Sequence, residues 1–365
     1  MLRDIIGTLV IFAGINFFLF IAEKLHQKGV FSAETNRKIV HVGVGVFILL
    51  GPILMTHRAG LLLLALLFVF VNGYTLMKGK LKGMHSVERE TFGTVLYPLS
   101  VLIVTLLFWN RLDVFYISLS AMFFGDAAAA FIGEKYPIRK LGQKSMGGSL
   151  AMFLTTLVFA WLFARFTGSE LGLSQLVALS VMAGMFEAST IGGFDNLTVP
   201  LGTAVYAYHL VTGGDVTTLW LAIFAGSLIA VPSYWLEYLT ADGAYWTAIT
   251  AVTVVAFGGW FWLIAILAFF LSSSILTKLL ASKSTVKSGE ARDSYQVLAN
   301  GGVPMLIALI NRFWPELWGI DWLVAYLVAL AVVNSDTWST EIGTLNPTDP
   351  LNIINFKPVR KGSSG

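Results

Sequence analysis

Roughly thirteen apolar runs, counted against a span length of about 20 residues, follow one another along the whole 365-residue chain. Lipid offers a backbone no water to hydrogen-bond, so a segment inside it must satisfy its own N–H and C=O groups. Only helices and closed barrels do so. The runs are long and show none of the two-residue alternation of barrel strands. The sequence therefore predicts an all-α, polytopic transmembrane helix bundle of about 13 spans. The runs fall near 4–24, 38–56, 59–77, 93–109, 112–134, 147–165, 174–191, 196–212, 216–237, 243–257, 259–280, 297–312 and 320–340. Composition agrees: 56% of residues are hydrophobic and 12% charged, against about 25% charged in soluble domains. Mean hydropathy is +0.76. The absence of cysteine excludes disulfides and thiol chemistry. A net charge of +3 is too small for a nucleic-acid footprint. The first apolar run lacks a small-residue cleavage site and reads as a retained helix.

Lysine and arginine predict the orientation, because cytoplasmic loops hold the excess. The rich loops carry Lys24, Lys28, Arg37 and Lys38; Lys78, Lys80, Lys82 and Arg89; Lys135, Arg139, Lys140 and Lys144; Lys278, Lys283, Lys287 and Arg292; and Lys357, Arg360 and Lys361. With the spans above, all five fall on one side. The N-terminus is then outside, and the polar motifs face the cytoplasm, where nucleotides are.

Within this apolar frame, residues 124–149 read FGDAAAAFIGEKYPIRKLGQKSMGGS. Asp126 lies inside an apolar span, where a carboxylate costs ~2.5–3.5 kcal/mol on insertion scales. Glu187 poses the same problem. The AAAA after Asp126 also suits a close helix–helix face. Around these residues cluster Asn36-Arg37-Lys38 with His41, the ERET run with Glu88, the loop Arg139, Lys140, Lys144, Ser145, Gly148 and Ser149, and Asp195-Asn196. Such residue types suit phosphoryl transfer. Mg²⁺ takes a few carboxylates plus phosphate oxygens, and a Gly/Ser run opening a helix offers free N–H groups to phosphates. Asp126, Glu187 and Asp195 are the candidate metal ligands, and Lys144 with Arg139 or Lys140 the candidate phosphate cations. His41 or Glu88 is the candidate proton acceptor, and spacing does not choose between them.

The segments NRKIVHVGVG, ERETFGTVLYP, GDAAAAFIGEKY, GQKSMGGSLAMF and DNLTVPL resemble, in order, the motifs of the phytol kinase/dolichol kinase family, which is related to the phosphatidate cytidylyltransferases. The resemblance covers about residues 30–215. It implies a polytopic enzyme that phosphorylates a polyprenyl alcohol, with CTP as donor and a divalent metal, Mg²⁺ or another. Matched by motif, Asp126, Lys144, Ser145, Ser149, Asp195 and Asn196 become the nucleotide–metal site, with Gly148 in the same loop. Where related sequences often carry an acid in a KSMEGS element, this chain has Gly147.

The segments GGWFWLIAILAFFLSSSILTKL, RDSYQVLANGGVP, NSDTWSTEIGTL and FKPVRKGSSG resemble a second integral-membrane family, one that includes phytyl-phosphate kinase. This resemblance covers about residues 225–365 and implies two domains, 1–225 and 226–365, the second truncated. There Arg292, Gln296 and Asn300 share one helical face at i, i+4 and i+8. Asp336 and Glu341 lie about 140° apart around a helix. Lys357, Arg360 and Lys361 form a basic, glycine-rich tail suited to phosphates or to anionic lipid. Together the resemblances imply a kinase acting on an isoprenoid alcohol such as phytol, followed by a second module that forms the diphosphate. The rival enzyme is a CDP-lipid synthase. The non-enzymatic rival is a secondary transporter, which internal repeats and midplane polar groups would favour; this chain has neither a convincing repeat nor midway placement of its polar motifs.

Overall fold

The structure, a computed structural model, describes residues 1–78, 92–142, 144–190, 192–281, 291–343, 348–349, 351–352 and 354–359. It is all-α apart from one small hairpin, and each apolar run expected to be a helix is one, within a few residues at either end. Six helices among the described residues are long and apolar enough to cross a membrane: Leu2–Gln27, Ala33–Leu54, Ala59–Met77, Leu112–Lys135, Met146–Thr167 and Val216–Trp235. The protein is thus a multi-pass membrane helix bundle.

The chain forms two compact units, Met1–Val216 and Thr217–Gly365. A boundary at 225/226 would cut the helix Val216–Trp235, which belongs by its contacts to the second unit. The first unit comprises α1 (Leu2–Gln27), α2 (Ala33–Leu49), the single turn α3 (Gly51–Leu54), α4 (Ala59–Met77), α5 (Gly93–Phe108), α6 (Leu112–Ser120), α7 (Ala127–Lys135), α8 (Met146–Thr167), α9 (Leu173–Ser189) and α10 (Asp195–Val211). A π-helical stretch, Ala121–Asp126, joins α6 to α7. Strands β1 (Lys140–Leu141) and β2 (Lys144–Ser145) pair antiparallel just before α8.

The α6–π–α7 rod is the axis of this unit. Val114, Phe115, Ile117, Leu119, Met122 and Phe123 are fully buried, and α2, α5, α8 and α10 pack around it. Helix α8 shows how the outer rods are built. Leu150, Leu154, Val158 and Trp161 form an exposed stripe, while Ala151, Met152, Thr156, Ala160 and Ala164 face inward. Large apolar side chains pointing out and small ones in is the arrangement lipid favours, because small residues let helix backbones approach closely. The AAAA segment of α7 takes part in such an approach. A Cβ on Gly148 would sit 3.0 Å from the Ala129 carbonyl oxygen, and one on Gly133 3.0 Å from the Gly148 Cα.

Two of these helices have a proline in their interior, Pro98 in α5 and Pro200 in α10. Each proline lacks the N–H that would bond the carbonyl four residues earlier, which strands the carbonyls of Thr94 and Asn196. Both are satisfied by a neighbouring side chain. Asn72 Nδ2 donates to Thr94 O at 2.8 Å, and Ser100 Oγ donates to Asn196 O. Without water at hand, this is how a broken helix is tolerated.

The capping generates a double-mutant prediction. Asn72→Leu leaves the Thr94 carbonyl unpaired and is expected to cost about 1–3 kcal/mol. In a Pro98→Ala background the restored N–H fills that carbonyl, so the same change costs less. Thermal unfolding of the four variants in detergent measures the coupling; equal costs in both backgrounds would contradict this account.

Candidate functional site

The ends of four elements meet at Lys144. Strand β2 carries the lysine itself, the π-helical stretch ends on Asp126, Glu187 lies in the last turn of α9, and Asp195 opens α10. Lys144 Nζ donates to Glu187 Oε1 and to Asp195 Oδ2, both at 2.9 Å. Ser149, one turn into α8, donates from Oγ to Glu187 Oε2 at 3.1 Å. The Asn196 N–H donates to Asp195 Oδ1 at 3.0 Å. Asp126 is close enough to interact electrostatically with Lys144, Glu187 and Asp195. The side chains are largely buried, with 5% of Glu187 and 14% of Asp195 exposed. Removing one partner from such a group leaves an uncompensated buried charge, at about 3–5 kcal/mol.

His41 approaches from α2. Its Nε2 lies 2.9 Å from the Met122 carbonyl oxygen and 3.9 Å from Asp126 Oδ2. A carbonyl only accepts, so Nε2 carries the proton and, in the neutral ring, Nδ1 is the acceptor. The ring meets Tyr97 edge-on at 4.7 Å, and the Tyr97 hydroxyl donates to the His41 carbonyl at 2.9 Å. The histidine is fixed in position and rotation. Arg37, one turn earlier on α2, interacts electrostatically with both His41 and Asp126.

Beside this cluster lies a cavity of about 190 Å³ walled by α1, α2, α4 and α5. Its lining is apolar along most of its length, from Val40, Val44 and Ile48 on α2 to Leu61, Leu64 and Phe68 on α4. Its polar members are Arg37, His41, Asn72, Thr94, Tyr97 and Asn196. Asp195 and Asn196 thus stand back to back, one engaged with Lys144 and the other lining the cavity.

Comparison with known proteins adds the family. The chain is 34% identical over 201 residues to the phytol kinase of Synechocystis sp., an alignment covering 51% of this chain and 84% of that protein. The chain belongs to the phytol kinase family. A probable chloroplastic phytol kinase of Triticum aestivum is 28% identical over 236 residues, covering 58% of this chain and 78% of the relative. Residues 224–365 match the family described as "Integral membrane protein DUF92". An uncharacterised membrane protein of Methanocaldococcus jannaschii is 33% identical over 130 residues, 35% of this chain and about half (52%) of that protein. No solved structure matches.

In this member of the phytol kinase family, Asp126, Lys144, Ser149, Glu187, Asp195 and His41 lie together. The glycine-rich loop does not behave as expected. The N–H groups that open α8 are already engaged: Met146 N donates to Arg139 O at 2.9 Å, Gly147 N to Pro137 O at 3.2 Å, and Gly148 N to Ser145 Oγ at 3.1 Å. Ser145 is a helix cap and its hydroxyl reaches Gly133 O at 3.3 Å, so Ser145 and Gly148 offer phosphates no free N–H cradle here. Gly147 is there for packing, since a Cβ would lie 1.8 Å from the Tyr136 carbonyl oxygen. No acid fits that backbone position in this arrangement. Arg139 and Lys140 are exposed and form no ion pair among the described residues. Glu88, Arg360 and Lys361, and the side chain of Glu341, lie outside the described residues.

In the second unit, α11 (Val216–Trp235), α12 (Ala241–Gly258), α13 (Trp260–Ala281), α14 (Ser294–Phe313) and α15 (Trp322–Gly343) follow in order. Arg292, Gln296 and Asn300 line one cavity of about 70 Å³, as their shared face suggested. Asp336 and Lys357 are exposed. Sequence reasoning gave no role to Thr94 or Asn72, carried Tyr97 only within the ERETFGTVLYP segment, and named Arg37 and Asn196 without placing them on a cavity; only helix packing reveals that shared wall.

No three His, Asp or Glu side chains form a ready cation cage among the described residues. Mg²⁺ does not require one, because it is held by one or two carboxylates plus substrate phosphates. Asp126, Glu187 and Asp195 carry the hard oxygen donors such an ion takes, and Asp126 is the one to which Lys144 makes no hydrogen bond.

Burial alone would lower the Lys144 pKa, but the carboxylates of Asp195, Glu187 and Asp126 outweigh it and hold the ammonium above its ordinary value. A raised folded pKa gives stability that is fully present below the unfolded value of about 10.4 and lost only as pH rises through the folded one. Lys144 therefore keeps its charge across pH 6–9, while the carboxyls left without it in Lys144→Met are relieved only by protonation, so the melting-temperature difference between the full chain and Lys144→Met is expected to be at least as large at pH 9 as at pH 6. A difference that collapses across pH 8–9 would contradict the assigned pairing.

Proposed function

We propose that the chain is a membrane-embedded kinase that transfers a phosphoryl group from a nucleoside triphosphate to a long-chain isoprenoid alcohol such as phytol. One observation supports this reading above the others: the Lys144–carboxylate cluster and the apolar cavity adjoin at consecutive residues, Asp195 and Asn196. A polar donor site and a greasy acceptor site are thereby set side by side, the juxtaposition such a transfer requires.

In the proposed reaction the alcohol oxygen forms a bond to the γ-phosphorus, the bond from that phosphorus to the leaving diphosphate breaks, and the alcohol proton passes to a base. His41 Nδ1 and the Asp126 carboxylate are the two bases at the site. His41 is held by Met122 and Tyr97, and Asp126 lies 3.9 Å from its ring. Lys144 and Arg37 supply the positive charge that steadies the phosphoryl oxygens; in such transfers positioning and charge do most of the work. Asp126 and Asp195 are the residues assigned to a divalent cation, Mg²⁺ by its preference for oxygen. When bound, that ion offsets the charge of the phosphates. CTP as donor follows from the motif resemblance alone.

The finer architecture belongs to the same proposal. All thirteen apolar helices would cross the bilayer, with the N-terminus outside and the Lys144 cluster on the cytoplasmic side. The second unit would add a second phosphate to the monophosphate product, with Arg292, Gln296 and Asn300 facing it, so that both steps occur on one chain.

The test is the intact chain in nanodiscs with phytol or geranylgeraniol, a divalent cation, and CTP, ATP, GTP and UTP in turn. Formation of a prenyl monophosphate is expected. Asp126→Asn should lower turnover by at least about 10²-fold, the lower range for loss of a catalytic acid or base, with expression nearly intact. No phosphorylated alcohol with any donor, or full activity in Asp126→Asn, would defeat the reading.

A further inference from the structure

The cavity between α1, α2, α4 and α5 has a direction. On α2 it runs from Arg37 to Ile48, and on antiparallel α4 from Asn72 back to Leu61. Each stretch is eleven residue steps long, about 16 Å at ~1.5 Å per step. Both put polar residues at one end and aliphatic ones at the other. That length is about half of a ~30 Å hydrocarbon core, the depth of one leaflet.

The polar end contains two unpaired groups. Asn196 Oδ1 and Thr94 Oγ1 are buried and have no hydrogen-bond partner among the described residues. The Asn196 amide has a determined sense. Its Nδ2 faces two acceptors, Gly193 O at 3.3 Å and Asp195 Oδ1 at 3.4 Å, so the nitrogen belongs there and the oxygen is the spare acceptor. Asn196 is 8% exposed. An acceptor left bare inside an apolar wall costs about 1–3 kcal/mol, which a ligand hydroxyl would recover. A hydroxyl on a long hydrocarbon is the chemical class that fits both ends.

We propose that this cavity is the acceptor site. A long-chain primary alcohol lies in it, donating its O–H to Asn196 Oδ1 and accepting from Thr94 Oγ1. The chain runs between α2, α4 and α5 towards Ile15, Ile48 and Leu61. These three are buried at the far end, at 2%, 5% and 1% exposure, and set the longest chain accepted. Asn196 then serves the acceptor rather than the nucleotide to which its motif assigned it. The ligand class rests on the alcohol-kinase reading above; the location does not.

The probe is a C20 isoprenoid alcohol bearing a diazirine at its far end, photolysed with the full-length chain in phosphatidylcholine nanodiscs. Peptide mapping is expected to place the label at Ile15, Ile48 or Leu61, with excess geranylgeraniol suppressing it. Leu61→Trp should reduce that labelling, and raise KM for the C20 alcohol, by about tenfold, the low end of what a filled hydrophobic pocket discriminates. KM for the nucleotide should be unchanged and a C10 alcohol little affected. Ile48→Ala, which enlarges the slot, should move the preference towards longer chains and keeps the test decisive if the tryptophan variant does not fold. Label elsewhere, label indifferent to competitor, or a KM change on the nucleotide side would overturn the assignment. Specific labelling without any phosphorylation by the wild-type chain would support the slot while defeating the kinase reading, so the two failures are distinct.

Discussion

The first unit depends on one partly buried ammonium. Lys144 stands between Glu187 and Asp195 at 2.9 Å from each, where β2, α9 and α10 converge. None of these charges is tolerable alone in apolar surroundings, because the desolvation of each must be offset by the others. The contact therefore fixes where the three elements end. It also orients Asp195, and through the helical backbone Asn196, which gives α10 one side chain in the charged cluster and the next on the apolar cavity.

The two prolines serve the same geometry. Pro98 and Pro200 each strand a carbonyl near the polar end of the cavity, and Asn72 and Ser100 occupy those carbonyls. Helix starts with satisfied backbone are thus held beside an apolar slot, and the polar groups left over, Thr94 Oγ1 and Asn196 Oδ1, are side-chain atoms suited to a ligand. The π-helical stretch has an analogous place. It brings Asp126 to the end of the most buried rod, with the Met122 carbonyl turned to His41. Such local departures from α geometry recur at functional sites.

Much of this was legible in the sequence, for specific reasons. The helices were, because an apolar run of span length has few alternatives in lipid. Asp126 and Glu187 stood out because charge inside an apolar span is costly and seldom without a role, and Lys144 and Asp195 because they lie in the GQKSMGGS and DNLTVPL segments. The glycine-rich loop misled because sequence shows glycines and a helix start but not the loop carbonyls that take their N–H groups. Arg139 O and Pro137 O, seven and ten residues away from the N–H groups they bind, do that here. The cavity was illegible because its walls come from residues 15 to 196, and its polar end joins residues of three separate motifs to Asn72, which lies in none. Gly147 departs from the motif for a reason only packing reveals, the carbonyl of Tyr136.

The central claim is that the Lys144 cluster handles the terminal phosphoryl group of a nucleotide, delivered to an alcohol in the adjoining slot. Nucleotide labelled separately in the α- and γ-phosphate tests it most directly, with lipid products followed from the intact chain. The account predicts γ-label in the prenyl product and none from the α-position. Lipid carrying α-label together with the nucleoside, with pyrophosphate released, would contradict it and make the same site that of a CDP-lipid synthase.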